Sequence, residues 1–144
     1  MALSILPIQD EITNKLKELN QDVYENSVPD DTSLAQDSSG VMLPFIVIVH
    51  SSMTQRANER GITGPRQDTG RCYADVMCVG PNERSARQVL DLVVDKLTGF
   101  QPNDAGILMI ETSGKPYTTY DGGARPVKYV AEASFYYSVN TVIS

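Results

Sequence analysis

Positions 127 to 139 constrain the fold more tightly than any other stretch of this 144-residue chain. Val127, Tyr129, Ala131, Ala133, Phe135, Tyr137 and Val139 occupy every second place, while Lys128, Glu132, Ser134, Tyr136 and Ser138 mostly fill the alternate ones. Successive side chains on a strand point to opposite faces, so this period of two predicts a half-buried antiparallel strand. A strand of thirteen residues exceeds the usual five or six, and it must pair with more than one neighbour or project beyond its sheet.

A second unit runs from Arg71 to Gly99. Residues 71–79 (RCYADVMCV) are rich in β-branched, aromatic and small apolar types, and Gly80-Pro81 stops that strand because proline offers no ladder N–H. Helix signals follow at once. Asn82 is placed to cap the first turn and Glu83 puts negative charge there. Ala86, Val89, Leu90, Val93, Val94 and Leu97 recur at helical spacing until Gly99, which predicts one buried stripe against a sheet.

Earlier in the chain, Ile5, Ile8, Ile12, Leu16 and Leu19 are spaced by three or four, with Pro7 in the first turn, where its missing N–H matters least. This predicts a first helix ending near Asn20. A short apolar piece, Val23-Tyr24, precedes the polar stretch ENSVPDDTSLAQDSSG, which reads as a loop. Residues 43–49 (LPFIVIV) form a continuous apolar run, predicting a central strand buried on both faces. Residues 51–70 show no sustained period and carry three glycines and a proline, predicting a long excursion between two strands. A further apolar strand is predicted over Ile107–Ile110, then a glycine-rich connection whose Asp121-Gly122-Gly123 suits a tight turn.

Together these elements predict a single α+β domain over residues 1–144. One mainly antiparallel β-sheet is packed by two α-helices, with a long protruding β-hairpin or loop at 51–70. Such a sheet carries edges with little protection in the sequence, which favours association.

The composition narrows the chemistry. A formal net charge of −6 argues against general nucleic-acid binding, because neutralising phosphates needs clustered Lys and Arg. One local exception exists: Arg56, Arg60, Arg66 and Arg71 hold four of the twelve basic residues within sixteen positions. They suit either a solvated loop or a contact with a partner. No apolar run approaches the roughly 20 residues that span a bilayer, and no basic segment precedes an apolar core at the start, so a soluble chain made in a cytoplasm is expected. Cys72 and Cys78 fall on one strand face about 20 Å apart, too far to bridge, and are read as small buried hydrophobes.

No constellation of reactive residues supports catalysis, a cofactor or a metal. His50 is the one histidine. Next to Ser51 on a strand it points to the opposite face, so a nucleophilic pair is not formed; a strand-exit histidine with one nitrogen in water is expected. The acidic pairs Asp10-Glu11 and Asp30-Asp31 lack companions at metal-binding spacing. Residues 61–66 (GITGPR) superficially resemble a phosphate loop but lack its Gly-Lys-Ser/Thr ending. Asp91 and Asp95 read as a solvated helix face beside Arg87 and Lys96, and Phe135, Tyr136 and Tyr137 as core or interface aromatics.

The order of elements resembles the tail terminator (tail completion) proteins of long-tailed bacteriophages, minor tail proteins that cap the tail tube. The likeness lies in an opening amphipathic helix (ILPIQDEITNKLKEL) and an apolar strand after a polar loop (LPFIVIV). It continues through a long hairpin, a strand leading through GPNERSARQVLDLVVDKL into a packing helix, and a closing strand ending FYYSVNT. The resemblance implies a structural, non-enzymatic virion protein: a homo-oligomeric, six-membered ring on the last tail-tube ring, head-proximal, contacting the tail tube protein and the head–tail connector. DNA would pass through its lumen without being held, and no membrane is involved. Arg56, Arg60 and Arg66, with Arg71, would then lie at an intersubunit or ring-to-ring contact. A neck or connector protein of the same assembly shares these traits. A small hydrolytic or ligand-binding domain using His50 and the cysteines, or an adaptor binding a partner strand at the sheet edge, are the remaining readings.

Overall fold

The computed structural model describes residues 5–26, 34–51, 54–55, 69–111, 117–121 and 128–140. Two helices and seven strands are described: α1 (Leu6–Lys17), β1 (Asp22–Glu25), β2 (Phe45–His50), β3 (Thr54–Gln55), β4 (Thr69–Gly80), α2 (Glu83–Leu97), β5 (Met109–Ile110), β6 (Tyr117–Asp121) and β7 (Lys128–Asn140). The strands form one sheet in the order β1-β2-β4-β7-β5, with β3 pairing on β4 and β6 on β7. Every pairing is antiparallel except β1 with β2. The α+β architecture predicted from sequence is therefore present, with both helices on one face of a mainly antiparallel sheet.

The spine is β4 with β7, paired continuously from Thr69↔Asn140 to Gly80↔Tyr129. On its other side β7 meets two partners in succession, β6 from Lys128 to Glu132 and β5 at Phe135 and Tyr136. Its unusual length is thus used up by three neighbours. The strand expected at Ile107–Ile110 is shorter, because the Leu108 N–H donates to the Phe100 carbonyl and the Leu108 carbonyl accepts from Gly99 N–H, binding that residue to the turn after α2.

Local chemistry sets the helix ends. Asn82 Oδ1 accepts from Ser85 N–H at 2.8 Å, closing the first turn of α2. Gly80 is required just before it: a Cβ there would sit 3.0 Å from Ala86 N and from Ser85 Cβ. Gly99, at φ +81°, ends the helix in the left-handed region that side chains resist. In α1 the proline lies in the first turn, and the chain leaves through Asn20 at φ +60°.

The main core lies between the helices and the sheet. Ile8, Ile12 and Leu16 of α1 and Ala86, Val89, Val93 and Leu97 of α2 meet Ile46, Ile48, Cys72, Ala74, Val76, Cys78, Ala131, Phe135 and Tyr137. Glu18 forms ion pairs with Lys15 at 3.4 Å and Lys96 at 3.5 Å, linking the end of α1 to α2 at the surface. Glu11 accepts from both the backbone and side-chain N–H groups of Asn103, at 2.9 and 2.8 Å, fixing α1 to the turn after α2.

Two features differ from the sequence expectation. β1 and β6 add strands where a short apolar piece and a glycine-rich connection were expected. The β1 edge is better protected than expected: it is four residues long and presents exposed Asp22 and Glu25, which discourages strand addition. The predicted hairpin at 51–70 is described only at its base, where Thr54 pairs with Arg71 and Gln55 with Gly70; residues 56–68 lie outside the described residues.

Candidate assembly surface

The second face of the sheet, turned away from the helices, has two halves. On the first, Phe45, Val47 and Val79 are buried with Leu34 and Met42, and Tyr24, Val49, Met77 and Val130 pack around them. The cover comes from residues 34–43, which begin inside the stretch read from sequence as a plain polar loop (25–40) and run into the start of the strand expected at 43–49. Asp37 Oδ1 accepts from the backbone N–H of Ser39 and Val41 at 2.8 and 2.9 Å, and Leu43 N–H donates to the Ala35 carbonyl at 2.9 Å. That small closed turn presses Leu34 and Met42 onto the sheet and leaves Val41 and Leu43 facing outward, 46% and 43% exposed. Tyr24 meets Phe45 edge to face with ring centroids 5.6 Å apart.

The other half is polar. The Arg71 guanidinium lies over the Tyr136 ring, 4.9 Å from its centroid. Asp75 Oδ1 accepts from Ser134 Oγ at 2.7 Å across the β4–β7 pair. Where the halves meet is a shallow depression of about 300 Å³ lined by Val49 of β2, Asp75 and Met77 of β4, and Glu132 and Ser134 of β7. An apolar patch with a polar border and a stacked Arg–Tyr pair is the usual make-up of a protein contact surface.

Of the four arginines singled out in the sequence, Arg71 stands on this surface. Arg56, Arg60 and Arg66 lie outside the described residues, but the chain enters and leaves their segment at the Gln55↔Gly70 pair, one residue from Arg71. The Arg71–Tyr136 stack escaped the sequence because its members are far apart along the chain and become neighbours only through the β4–β7 register, in which Arg71 pairs with Ser138. The apolar half had a signal: Met77 and Val79 on β4 fall on the opposite parity from Val76 and Cys78, so that end of β4 is apolar on both faces.

His50 departs from expectation. Its Nε2 lies 3.0 Å from Thr13 Oγ1 of α1, and its Nδ1 is buried with no partner among the described residues, instead of being wet. The environment follows from where β2 ends, beneath α1 and opposite Ala74 of β4. Burial holds this imidazole below its ordinary value of 6.5, against the pull of the Glu25 and Asp10 carboxylates. Ser51 faces elsewhere, its hydroxyl accepting from Tyr73 N–H at 3.0 Å and donating to the Tyr73 carbonyl at 3.2 Å.

Cys72 and Cys78 are free and buried. Burial pushes the Cys78 thiol up to about 12 and raises Cys72 as well. Tyr137, paired with Cys72 across the strands, has a buried hydroxyl without a well-placed hydrogen-bond partner, and burial followed by the nearby thiol raises its pKa. Asp91 and Asp95 are exposed on α2. Among the described residues no three His, Cys, Asp or Glu side chains converge to hold a metal ion, and no helix is long and apolar enough to cross a membrane.

Comparison with known proteins returned no matching family model and no matching curated protein.

Proposed function

We propose that this chain is a structural subunit of a bacteriophage tail, closing the tail tube as a ring, ending its polymerisation and forming the joining surface for the head connector. The observation that carries the reading is the two-part outer face of the sheet. A domain closed by helices on one side carries, on the other, the outward Val41 and Leu43 of the 34–43 cover and the partly buried Val49 and Met77, beside the polar half formed by Arg71, Tyr136, Asp75 and Glu132. Head-to-tail ring contacts join two different patches of the same subunit. The outer face supplies one such patch, and the segment carrying Arg56, Arg60 and Arg66, which joins the sheet at the Gln55↔Gly70 pair, would supply the second. The net charge of −6 suits a channel through which DNA slides without being held.

The test is mass in solution over a wide concentration range by light scattering, with negative-stain microscopy of the same fractions, alone and with tail-tube protein. Closed rings with a central hole, on their own or on tube ends, are expected, and the variant carrying Arg56→Glu, Arg60→Glu and Arg66→Glu should fold but not close them. A monomer that neither assembles nor binds tube or connector overturns the proposal. Rings that bind the connector but not the tube move the protein to the neck of the same assembly.

A further inference from the structure

The single histidine of the chain occupies a position that the assembly reading does not use. His50 ends β2 on the helix-facing side of the sheet, where Thr13, itself only 2% exposed in the middle of α1, is its sole described hydrogen-bond partner. Whichever of the two donates, the second ring nitrogen is buried and unmatched. A neutral ring leaves there either a lone pair without a donor or a single N–H without an acceptor. A protonated ring carries an N–H on both nitrogens and a full charge, and no acceptor among the described residues meets Nδ1.

We propose that His50 is an acid-sensitive latch between α1 and the sheet. Proton uptake favours an open state in which α1 lifts from the end of β2 and water reaches Nδ1. Opening exposes Ile8, Ile12 and Leu16, each at most 2% exposed in the closed form, so the released helix presents an apolar stripe. Two carboxylates oppose the effect by favouring the charged ring: Glu25 of β1 and Asp10 of α1. The β4 residue paired with His50 is Ala74, which cannot titrate. Because the charged ring is the disfavoured form in the closed state, closure is strongest above the ordinary histidine value of 6.5 and weakens as the pH falls through the lower value of the folded protein.

One histidine gives one imidazole signal, so a proton NMR titration of the intact chain reads His50 directly. Amide hydrogen exchange of α1 and α2, corrected for intrinsic rates, is followed between about pH 7.5 and about pH 5.5, the window of histidine titration. The expected result is a midpoint below 6.5 with α1 protection falling by up to about tenfold per unit of depression, while α2 stays protected. His50→Gln, which keeps a polar partner for Thr13 but cannot titrate, should abolish the pH response of α1. A midpoint at or above 6.5, unchanged α1 protection, parallel loss in α1 and α2, or an unaltered response in His50→Gln overturns the latch. If that variant does not fold, the wild-type titration and exchange decide. None of these readouts depends on ring formation.

Discussion

Along β4, Cys72, Ala74, Val76 and Cys78 meet the helices, while Arg71, Tyr73, Asp75 and Met77 face the other way, and the two sets differ in kind. The helix side uses small apolar residues on β4 and, at Ala131 and Ala133, on β7, so that α2 lies close to the strands. The larger Phe135, Tyr137, Leu97 and Leu108 complete the same core. The outer side carries larger and more polar groups, covered over only part of its area by the 34–43 segment. One face is specified throughout by packing against the helices; the other is packed over one half by the 34–43 segment and polar over the rest. The same strands serve both ends because alternate residues answer to different neighbours.

The largest break in this comparison should come from the helix side. Val93→Asp, or Val89→Asp, places an unpaired carboxylate at a position no more than 3% exposed, and a loss of more than about 4 kcal/mol, enough to abolish folding, is expected. Circular dichroism and thermal melting check this; soluble protein with a cooperative transition would show that the stripe is not core.

Next comes alkaline titration. Cys78 stays protonated in the folded chain up to about 12 but ionises in the unfolded chain near 9.0. A raised folded value means that its stabilisation is complete below the unfolded value and is lost as pH climbs between the two, amounting to a few kcal/mol at most. Cys72 and Tyr137 act in the same direction. Urea midpoints measured upward from pH 9.0 should fall steadily, and both thiols should resist aromatic disulfide reagents in the native state. Rapid native labelling at neutral pH would contradict their burial and revive a reactive-thiol role.

On the outer side, Met77→Lys should change monomer stability by only about 1 kcal/mol while weakening association. Sedimentation velocity beside chemical denaturation separates the two effects, and equal loss of both would make the outer face an ordinary core. Smallest of all for the monomer is Arg71→Ala, which removes the stack on Tyr136 and should cost about 0.5–1 kcal/mol. Its assembly defect should still be measurable by light scattering; if stability falls and assembly is untouched, Arg71 is structural alone.

How much of this could be read from the chain depends on where the information lies. α2 was legible to its ends because Asn82, Glu83 and Gly99 act within a few residues of the termini they define. β7 was legible because its alternation is long, and β2 because its apolar run is continuous. β1 and β6 were not: short strands carry little local signal, and their conformation is supplied by the neighbours they pair with. The Tyr-Thr-Thr-Tyr run of β6 held the right composition but was masked by the turn residues beside it. The outer face was half legible, since Arg71 stood out by charge, whereas its stack on Tyr136 and the cover from Leu34 and Met42 arise only from tertiary approach. The unmatched nitrogen of His50 belongs to the same class, being a property of what α1 places above it.

The β4–β7 ladder has a kinetic corollary. It joins residues roughly 50 to 70 positions apart, with α2, β5 and β6 all lying in the loop it closes. During synthesis β4 emerges well before the strand that completes it, so its partner edge stays bare while α2 forms alongside. The interval between those events is when the chain is most open to mispairing with other copies of itself. Refolding should accordingly be slow for a domain of this size, and more concentration-sensitive in its early phase than in its late one.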